Sequence, residues 1–472
     1  MQKQRPFWIF TAAVLVALIL PTLMQDGMFM DGLLYACVSK NMADGIGSFW
    51  FPHFSKTLHA FFDQQPPLGF GILAVFFKLF GSSLYVERGY CFLTALANAL
   101  LIATLWRSLF KQENEIKQLS WLPVFFWITI PVCFWAYSNG VMENTMSVFD
   151  LLAVLCVTRF FRTGSFAVFF LTGAFIFLAS LTKGIQGMFP LVSFFAGWIA
   201  YRNFAFGKMI LYSVMLLLIP LAIYILLLQN DAAFGSLNAY LHNRVLNSIQ
   251  NVETDDGRFY LAGRLLSELI PMSVFSLILF LAGRKSKSAA SPVPYYKRHF
   301  LFFILLGISA SFPLMVTLEQ RGFYLVTSFP YFAIAASALA APYLSILLGK
   351  INVVSNGLKL FRTVSILLLA GALVFSFLQI GKASRDRDTI HDVHLIGAVV
   401  PRGDIMGGTP TLWSQWSFQE YLIRHYYISL GSTITHTNDY VILETGTSVP
   451  DSENMEKVNI PTLRYHLYKV KR

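Results

Sequence analysis

The stretch "FWIFTAAVLVALILPTLM", Phe7–Met24, runs straight into "QDGMFMDGLLYACVSKNMADG", Gln25–Gly45. The first part is an apolar run of near-spanning length behind Lys3 and Arg5. The second places Asp26, Asp31 and Asp44 directly after it. A secretory signal has a similar charged start and apolar run. Here no small-residue cleavage site follows Leu20 and many more apolar runs come after, so the segment reads as a retained first helix.

Composition agrees. Of 472 residues, 56% are hydrophobic and 13% charged, and the mean hydropathy is +0.58, whereas soluble domains carry about 25% charged residues. This is a polytopic α-helical membrane chain. The formal charge of +11 would suggest nucleic acid in a soluble protein. Here Lys and Arg cluster in short loops beside spans, where they set orientation, so no nucleic-acid partner is expected. Cys37, Cys91, Cys133 and Cys156 make no disulfide framework.

A span needs roughly 20 apolar residues. Candidates are 7–24, 85–109, 119–137, 144–161, 165–182, 186–201, 208–228, 264–282, 299–317, 323–346 and 361–380. The shorter segment 66–80 either dips in and returns, lies along the interface or crosses, which gives about 11 to 13 helices. With the N-terminus inside, the basic clusters Arg107/Lys111/Lys117, Arg159/Arg162, Arg202/Lys208, Arg284–Arg298 and Lys350/Lys359/Arg362 fall on the cytoplasmic side. The polar stretches 25–65, 138–144 and 229–262 then fall outside. They are joined there by "TKG" at Thr182–Gly184 and "EQR" at Glu319–Arg321. Residues 1–380 form the transmembrane domain. The polar tail 381–472 reads as a small extracytoplasmic α/β unit: helices at 388–399 and 417–427, and strands at 404–406, 411–413, 440–444 and 465–470.

The chemistry-bearing residues sit in those outer stretches. Leu33, Leu34, Cys37, Val38 and Met42 recur at helical spacing, which predicts an interfacial helix lying against the bilayer. Asp31 stands at its start and reads either as an N-cap or as a catalytic acid. Asp26 and Asp44 precede glycines and read as turn formers. Glu143, between two spans, is either loop solvation or a second acid. Lys183 at a helix end either snorkels or holds a phosphate. His242, Arg244 and Arg258 offer anion or metal contacts, and Arg321 and Tyr324 stand at the mouth of a span. Acids and bases on one side of a greasy body suit a reaction between a water-side acceptor and a lipid-tethered anion.

In this order the motifs resemble the polytopic glycosyltransferases of the GT-C fold that use polyprenyl-phosphate sugars. The nearest branch holds the protein O-mannosyltransferases and the lipid A aminoarabinose transferases. The resemblance rests on Asp31 with Tyr35, Gly47 and Pro52, "QPPL" with "FKLFG" and Arg88, "LTKG" with Pro190, and "RGFYLVTSFPYFAIAA". It implies Asp31 as catalytic base and Glu143 as the acid of the next outer turn. Lys183, Arg244, Arg258, Arg321 and Tyr324 are expected to hold the donor phosphate. Two departures stand out: Gly32 replaces a second acid after the catalytic Asp, and Gln64-Gln65 replaces a Glu-Lys pair before Pro66.

The expected reaction is inverting transfer of a sugar from a polyprenyl-phosphate donor to an envelope lipid, glycan or protein, at the outer face of a bacterial inner membrane. No cofactor is required. A divalent metal ion on Asp63, Glu143 and His242 is an option. The rivals are an envelope polysaccharide polymerase or ligase, and a lipid or glycan transporter.

Overall fold

The computed structural model describes residues 2–247, 257, 259–284, 294–315, 319–435, 437–448 and 454–471. It divides into two compact units, Met1–Leu23 with Cys91–Gln379, and Met24–Tyr90 with Ile380–Arg472. The sequence boundary at 380 is therefore redrawn, because the first outer segment belongs with the tail.

The first unit is a helix bundle. Among the described residues nine helices of the chain are long and apolar enough to cross a membrane. Asn114–Ile128 and Pro131–Ser138, bent by 79°, make a tenth if taken as one span. Each of the eleven apolar segments finds a helix. The lower count arises because 165–182 and 186–201 lie in one run, Phe166–Tyr201. That run is a hairpin. The helix Phe166–Lys183 ends on Gly184, whose φ of +84° only glycine adopts cheaply, and a 3₁₀ stretch, Gly184–Val192, leads into Ser193–Tyr201. A Cβ on Gly187 would lie 2.5 Å from the Ala179 carbonyl carbon, so the returning chain packs directly on the helix it has just left.

Burial separates the central helices from the peripheral ones. In the most apolar stretches of Met142–Thr163 and Phe329–Gly349, 61% of residues are buried, against 11% in Phe206–Leu227 and Asn356–Phe377. The last two helices expose Leu211, Leu218, Ile225, Leu360, Leu367 and Val374. Such surfaces are stable only in hydrocarbon, so the protein is integral to a membrane. Inside the bundle, Ala153, Phe160, Phe169, Ile176, Phe194 and Leu216 form a continuous core.

The second unit is built around the helix Met30–Ala43. Its apolar stripe does not lie against the bilayer as the spacing suggested. Leu33, Ala36, Cys37 and Val38 are buried in protein, packed on the helix Leu68–Phe80 through Leu73 and Phe77 and on Trp416–Tyr426. Leu68–Phe80 has 13 residues, about 20 Å at 1.5 Å per residue, too short to cross. The tail is α/β as expected. Arg387–Gly397 and Trp416–Tyr426 are helices, Ile405–Met406 pairs in parallel with Ser429–Leu430, and Tyr465–Val470 lies between Tyr440–Glu444 and Met455–Lys457 in an antiparallel sheet. The strand expected at 411–413 is instead a helical turn, Pro410–Trp413. Thr409 caps it by accepting the Leu412 N–H, and Pro410 supplies a preset φ at the first position. Two buried contacts fasten this unit: Arg424 to Glu87 at 2.7 Å, and Asp392, whose carboxylate accepts the backbone N–H groups of Leu463, Arg464 and Tyr465 at 2.7–3.2 Å.

Candidate active site

In the first unit, Gly164 adopts φ +62° and turns the chain between Met142–Thr163 and Phe166–Lys183. The second helix runs back along the first, and Lys183 arrives where Glu143 stands. Lys183 Nζ lies 2.5 Å from Glu143 Oε1, and both side chains are buried, with exposures of 6% and 0%. The snorkelling reading of Lys183 and the solvated-loop reading of Glu143 are both overturned. Burying two ions is costly unless they meet at contact distance, which the hairpin ensures.

The ammonium also faces two aromatic rings, 4.9 Å from the centroid of Tyr324 and 5.7 Å from that of Phe323, a cation–π arrangement. The Tyr324 hydroxyl donates to Glu319 at 3.2 Å, and Arg244 pairs with the same carboxylate at 2.8 Å. Gln186 donates to the Tyr324 carbonyl at 2.6 Å. Tyr240 donates to the Lys183 carbonyl at 3.5 Å and packs on Gly184, where any Cβ would strike its hydroxyl. Burial, opposed by the Arg244 charge, pushes the Tyr240 phenol up to about 12. Lys183, Glu143, Tyr324, Glu319 and Arg244 thus form one connected set. Arg321 is exposed at the start of the turn Gly322–Thr327, and His242 is exposed with Nδ1 on the Asn238 carbonyl of its own turn. Arg258 lies outside the described residues.

In the second unit, Asp31 is not the helix cap. Phe29 holds the cap position, so Asp31 is the second helical residue, half-buried, with its carboxylate in the first turn. There the helix dipole favours negative charge. Tyr35, one turn on, packs against Phe70 at 5.7 Å between ring centroids. Asp44 is more than a turn former. It pairs with Lys40 at 2.7 Å and with Arg402 at 2.5 Å. Burial pushes its carboxyl up, and the two cations outweigh this and hold it below the usual range. Asp63 accepts from its neighbour Gln64 at 2.8 Å.

The residue that sequence reasoning missed is Glu420. It lies in the helix Trp416–Tyr426, fully buried, and neither carboxylate oxygen has a hydrogen-bond partner among the described residues. Burial first, then the negative charges of Asp31 and Asp386, push its carboxyl well above the ordinary value. Glu420 is a buried acid whose neutral form is favoured, within electrostatic reach of Asp31. The sequence carries no signal of this: Phe418–Arg424 mixes apolar and polar residues, and its burial throughout comes only with the fold.

This has a measurable consequence for pH. A carboxyl raised in the folded state contributes most below its unfolded value, and that contribution is lost as pH rises toward the folded value. The slope is about 1.4 kcal/mol per pH unit. Glu420→Gln keeps the shape and removes the titration. Its thermal midpoint in detergent is expected to match the parent below about pH 4.5 and to exceed it progressively as pH rises above that. Parallel curves would show that Glu420 is not buried neutral.

Of the residues expected to bind a metal, Glu143 is engaged by Lys183 and His242 by a backbone carbonyl, while Asp63 belongs to the second unit. The one grouping of three metal-capable side chains among the described residues is a different set: Asp26, His394 and His425. Burial, with His394, Arg424 and Arg88 adding to it and Asp26 opposing, holds the His425 imidazole down at about 4, so it is neutral at ordinary pH.

The structure of ArnT from Cupriavidus metallidurans in the apo state matches 97% of this chain and 96% of its own, with a TM-score of 0.64 at 13% identity. This chain has the GT-C fold. The ArnT structure bound to undecaprenyl phosphate matches 97% of each chain, with the same TM-score at 14% identity. The Archaeoglobus fulgidus oligosaccharyltransferase in complex with Zn and sulfate matches 92% of this chain and 68% of its own, with a TM-score of 0.53 at 15% identity. No family model and no curated protein matches the sequence. At such identities the likeness is one of GT-C architecture, carried by helix order rather than by residues.

Proposed function

We propose that the protein is an integral-membrane glycosyltransferase that moves a sugar from a polyprenyl-phosphate donor to an envelope lipid, glycan or protein. The observation that carries this reading is the buried Lys183–Glu143 pair set against Tyr324. It occurs in a chain that matches, end to end, the fold of a protein bound to undecaprenyl phosphate.

Lys183 has three N–H donors. Glu143 occupies one direction, and the others suit phosphate oxygens. Glu143 then serves as the counter-ion that allows an ammonium to stay charged and fixed while buried. Tyr324 touches this group directly, Arg244 is linked to it through Glu319 and Tyr324, and Arg321 adds positive potential from the surface.

Asp31 serves as general base. It takes the proton of the acceptor hydroxyl as that oxygen forms a bond to the anomeric carbon. The bond from that carbon to the phosphate oxygen breaks, its electron pair leaves on the polyprenyl phosphate, and the configuration inverts. Cationic N–H groups on the departing phosphate stabilise the charge that develops. General-base assistance needs an ionised acid at working pH. A helix N-terminus favours the charged form of an acid at the position of Asp31.

The positive-inside pattern puts the tail outside the cell membrane, in a bacterial inner membrane. A cysteine at Thr447, an exposed tail position, is expected to react with a membrane-impermeant thiol reagent in spheroplasts. Protection until lysis would reverse the orientation. The function is tested by mass spectrometry of envelope lipids and glycans with and without this protein. A species heavier by one sugar residue, present only when the protein is, is the expected result. Identical profiles would contradict the reading.

A further inference from the structure

Three segments far apart in the sequence converge in the second unit. Asp26 follows the first span, His394 lies in the last turn of Arg387–Gly397, and His425 lies in the last turn of Trp416–Tyr426. One ligand atom from each lies within 4.8 Å of the others. We propose that these side chains form a transition-metal site, of the kind zinc occupies, that ties the start of the first outer segment to two helices of the tail. The proposal stands apart from the transferase reading and needs no donor or acceptor.

The donor set has the right chemistry. Two imidazole nitrogens and one carboxylate oxygen suit Zn²⁺ and its neighbours in the first transition row, and leave a fourth position open to water. Bound zinc would draw the ligand atoms to about 2.0–2.2 Å from the ion, which asks for closure of the 4.8 Å spread by side-chain rotation.

Two of the three ligands, Asp26 and His394, are also held from behind. The backbone at Asp26 is clamped on both sides: its N–H donates to the Lys382 carbonyl at 2.7 Å, and its carbonyl accepts from the Ser384 N–H at 2.8 Å. Its Oδ1 accepts the Gly27 N–H at 2.6 Å, which fixes the carboxylate. Gly27 has φ +83°, and a Cβ there would lie 2.7 Å from the Arg385 carbonyl oxygen, so only glycine lets the chain pass this close to residues 383–385. His394 Nδ1 meets the Tyr426 hydroxyl at 2.9 Å, which fixes the ring and presents Nε2. Metal-bound histidines are oriented by a second hydrogen bond in this way. The two imidazole rings are 4.8 Å apart between centroids, at 57°.

Two cations oppose binding and the helix dipoles favour it. Arg88, buried and donating to the Gly27 carbonyl at 3.1 Å, and Arg424 both place positive charge near His425 and lower affinity for a cation. Both histidines lie at helix C-termini, where the dipole is negative and favours one. The net expectation is a site that binds the metal ion but is not saturated by traces of it.

A structural consequence follows. Asp26 lies five residues before Asp31 in the sequence, and the metal would fix the segment that delivers Asp31 to its helix.

The test is titration of chelator-stripped, purified full-length protein with Co²⁺, read by its visible absorption, and with Zn²⁺ by competition. One equivalent per chain is expected, with a thermal midpoint that rises with Zn²⁺ concentration. His394→Ala and His425→Ala are each expected to abolish the cobalt spectrum. Tyr426→Phe is expected to weaken binding about 10–100-fold by releasing the His394 ring. His391→Ala, exposed on the same helix, is expected to leave binding unchanged. Metal-free midpoints of the variants report folding separately. Binding that survives both histidine substitutions, or that is weak and non-stoichiometric in the parent, would mean adventitious surface histidines only and would overturn the proposal.

Discussion

Asp31→Asn is expected to lower the transfer rate by at least 10²-fold, within the 10²–10⁴ that general-base assistance supplies, while expression and donor binding stay near those of the parent. The structure sharpens this expectation, because Phe29 rather than Asp31 holds the cap position. The substitution costs no cap. It forfeits the attraction of a first-turn carboxylate to the helix dipole, about 0.3–1 kcal/mol. It also relieves the repulsion that Asp31 exerts on Glu420, so stability should change little. Asp44→Asn is the matched control, since its part-exposed pairs with Lys40 and Arg402 are worth about 0–1 kcal/mol and its transfer rate should hold. The measurement is turnover at saturating donor. An Asp31→Asn enzyme as fast as the Asp44→Asn control would remove Asp31 from the chemistry.

The second large effect falls on folding. Lys183→Ala strands Glu143 as an uncompensated carboxylate with 0% exposure. Removing one partner of a buried pair costs about 3–5 kcal/mol. A loss of yield and a large fall in thermal midpoint are expected, not the mild phenotype of a snorkelling lysine. Lys183→Met combined with Glu143→Gln removes both charges at similar volume, and is expected to recover most of the lost stability while donor binding stays abolished. Recovery of both would make the pair structural only. If Lys183→Ala alone folds like the parent, Glu143 has another compensating partner and the pairing is not what stabilises the hairpin.

Much of the fold was legible because the bilayer imposes a length. Runs of about 20 apolar residues mark the spans, and each of the eleven finds a helix. The misreadings come from places where something other than hydropathy decides. The stripe Leu33–Met42 looks like a membrane-surface helix by spacing alone, and the apolar partner it meets is the tail helix Trp416–Tyr426, some 380 residues on in the numbering. Thr411–Trp413 carries β-forming residues, but Thr409-Pro410 before it is a start signal for a helical turn, and the capping hydrogen bond decides.

The candidate site was legible in its residues and not in its pairing. Glu143 and Lys183 are nearly equidistant from Gly164. An antiparallel helix hairpin turning at that glycine brings them together, and a count outward from the turn would have found the ion pair. Glu420 was hidden because nothing in the helix expected over 417–427 marks Phe418–Arg424 as buried throughout. Arg244 was read as a donor contact, and its guanidinium is held by Glu319, a partner 75 residues away that only the folded bundle supplies.

The central claim is sugar transfer from a polyprenyl-phosphate donor. The most direct measurement uses the purified chain in lipid nanodiscs with synthetic polyprenyl-phosphate sugars and an envelope lipid extract. Mass spectrometry then follows both the released polyprenyl phosphate and the glycosylated acceptor. The two are expected in equal amounts, at a rate that collapses in Asp31→Asn. An active preparation that moves lipid-linked sugar intact across the bilayer, with no release of polyprenyl phosphate from any donor, would contradict it.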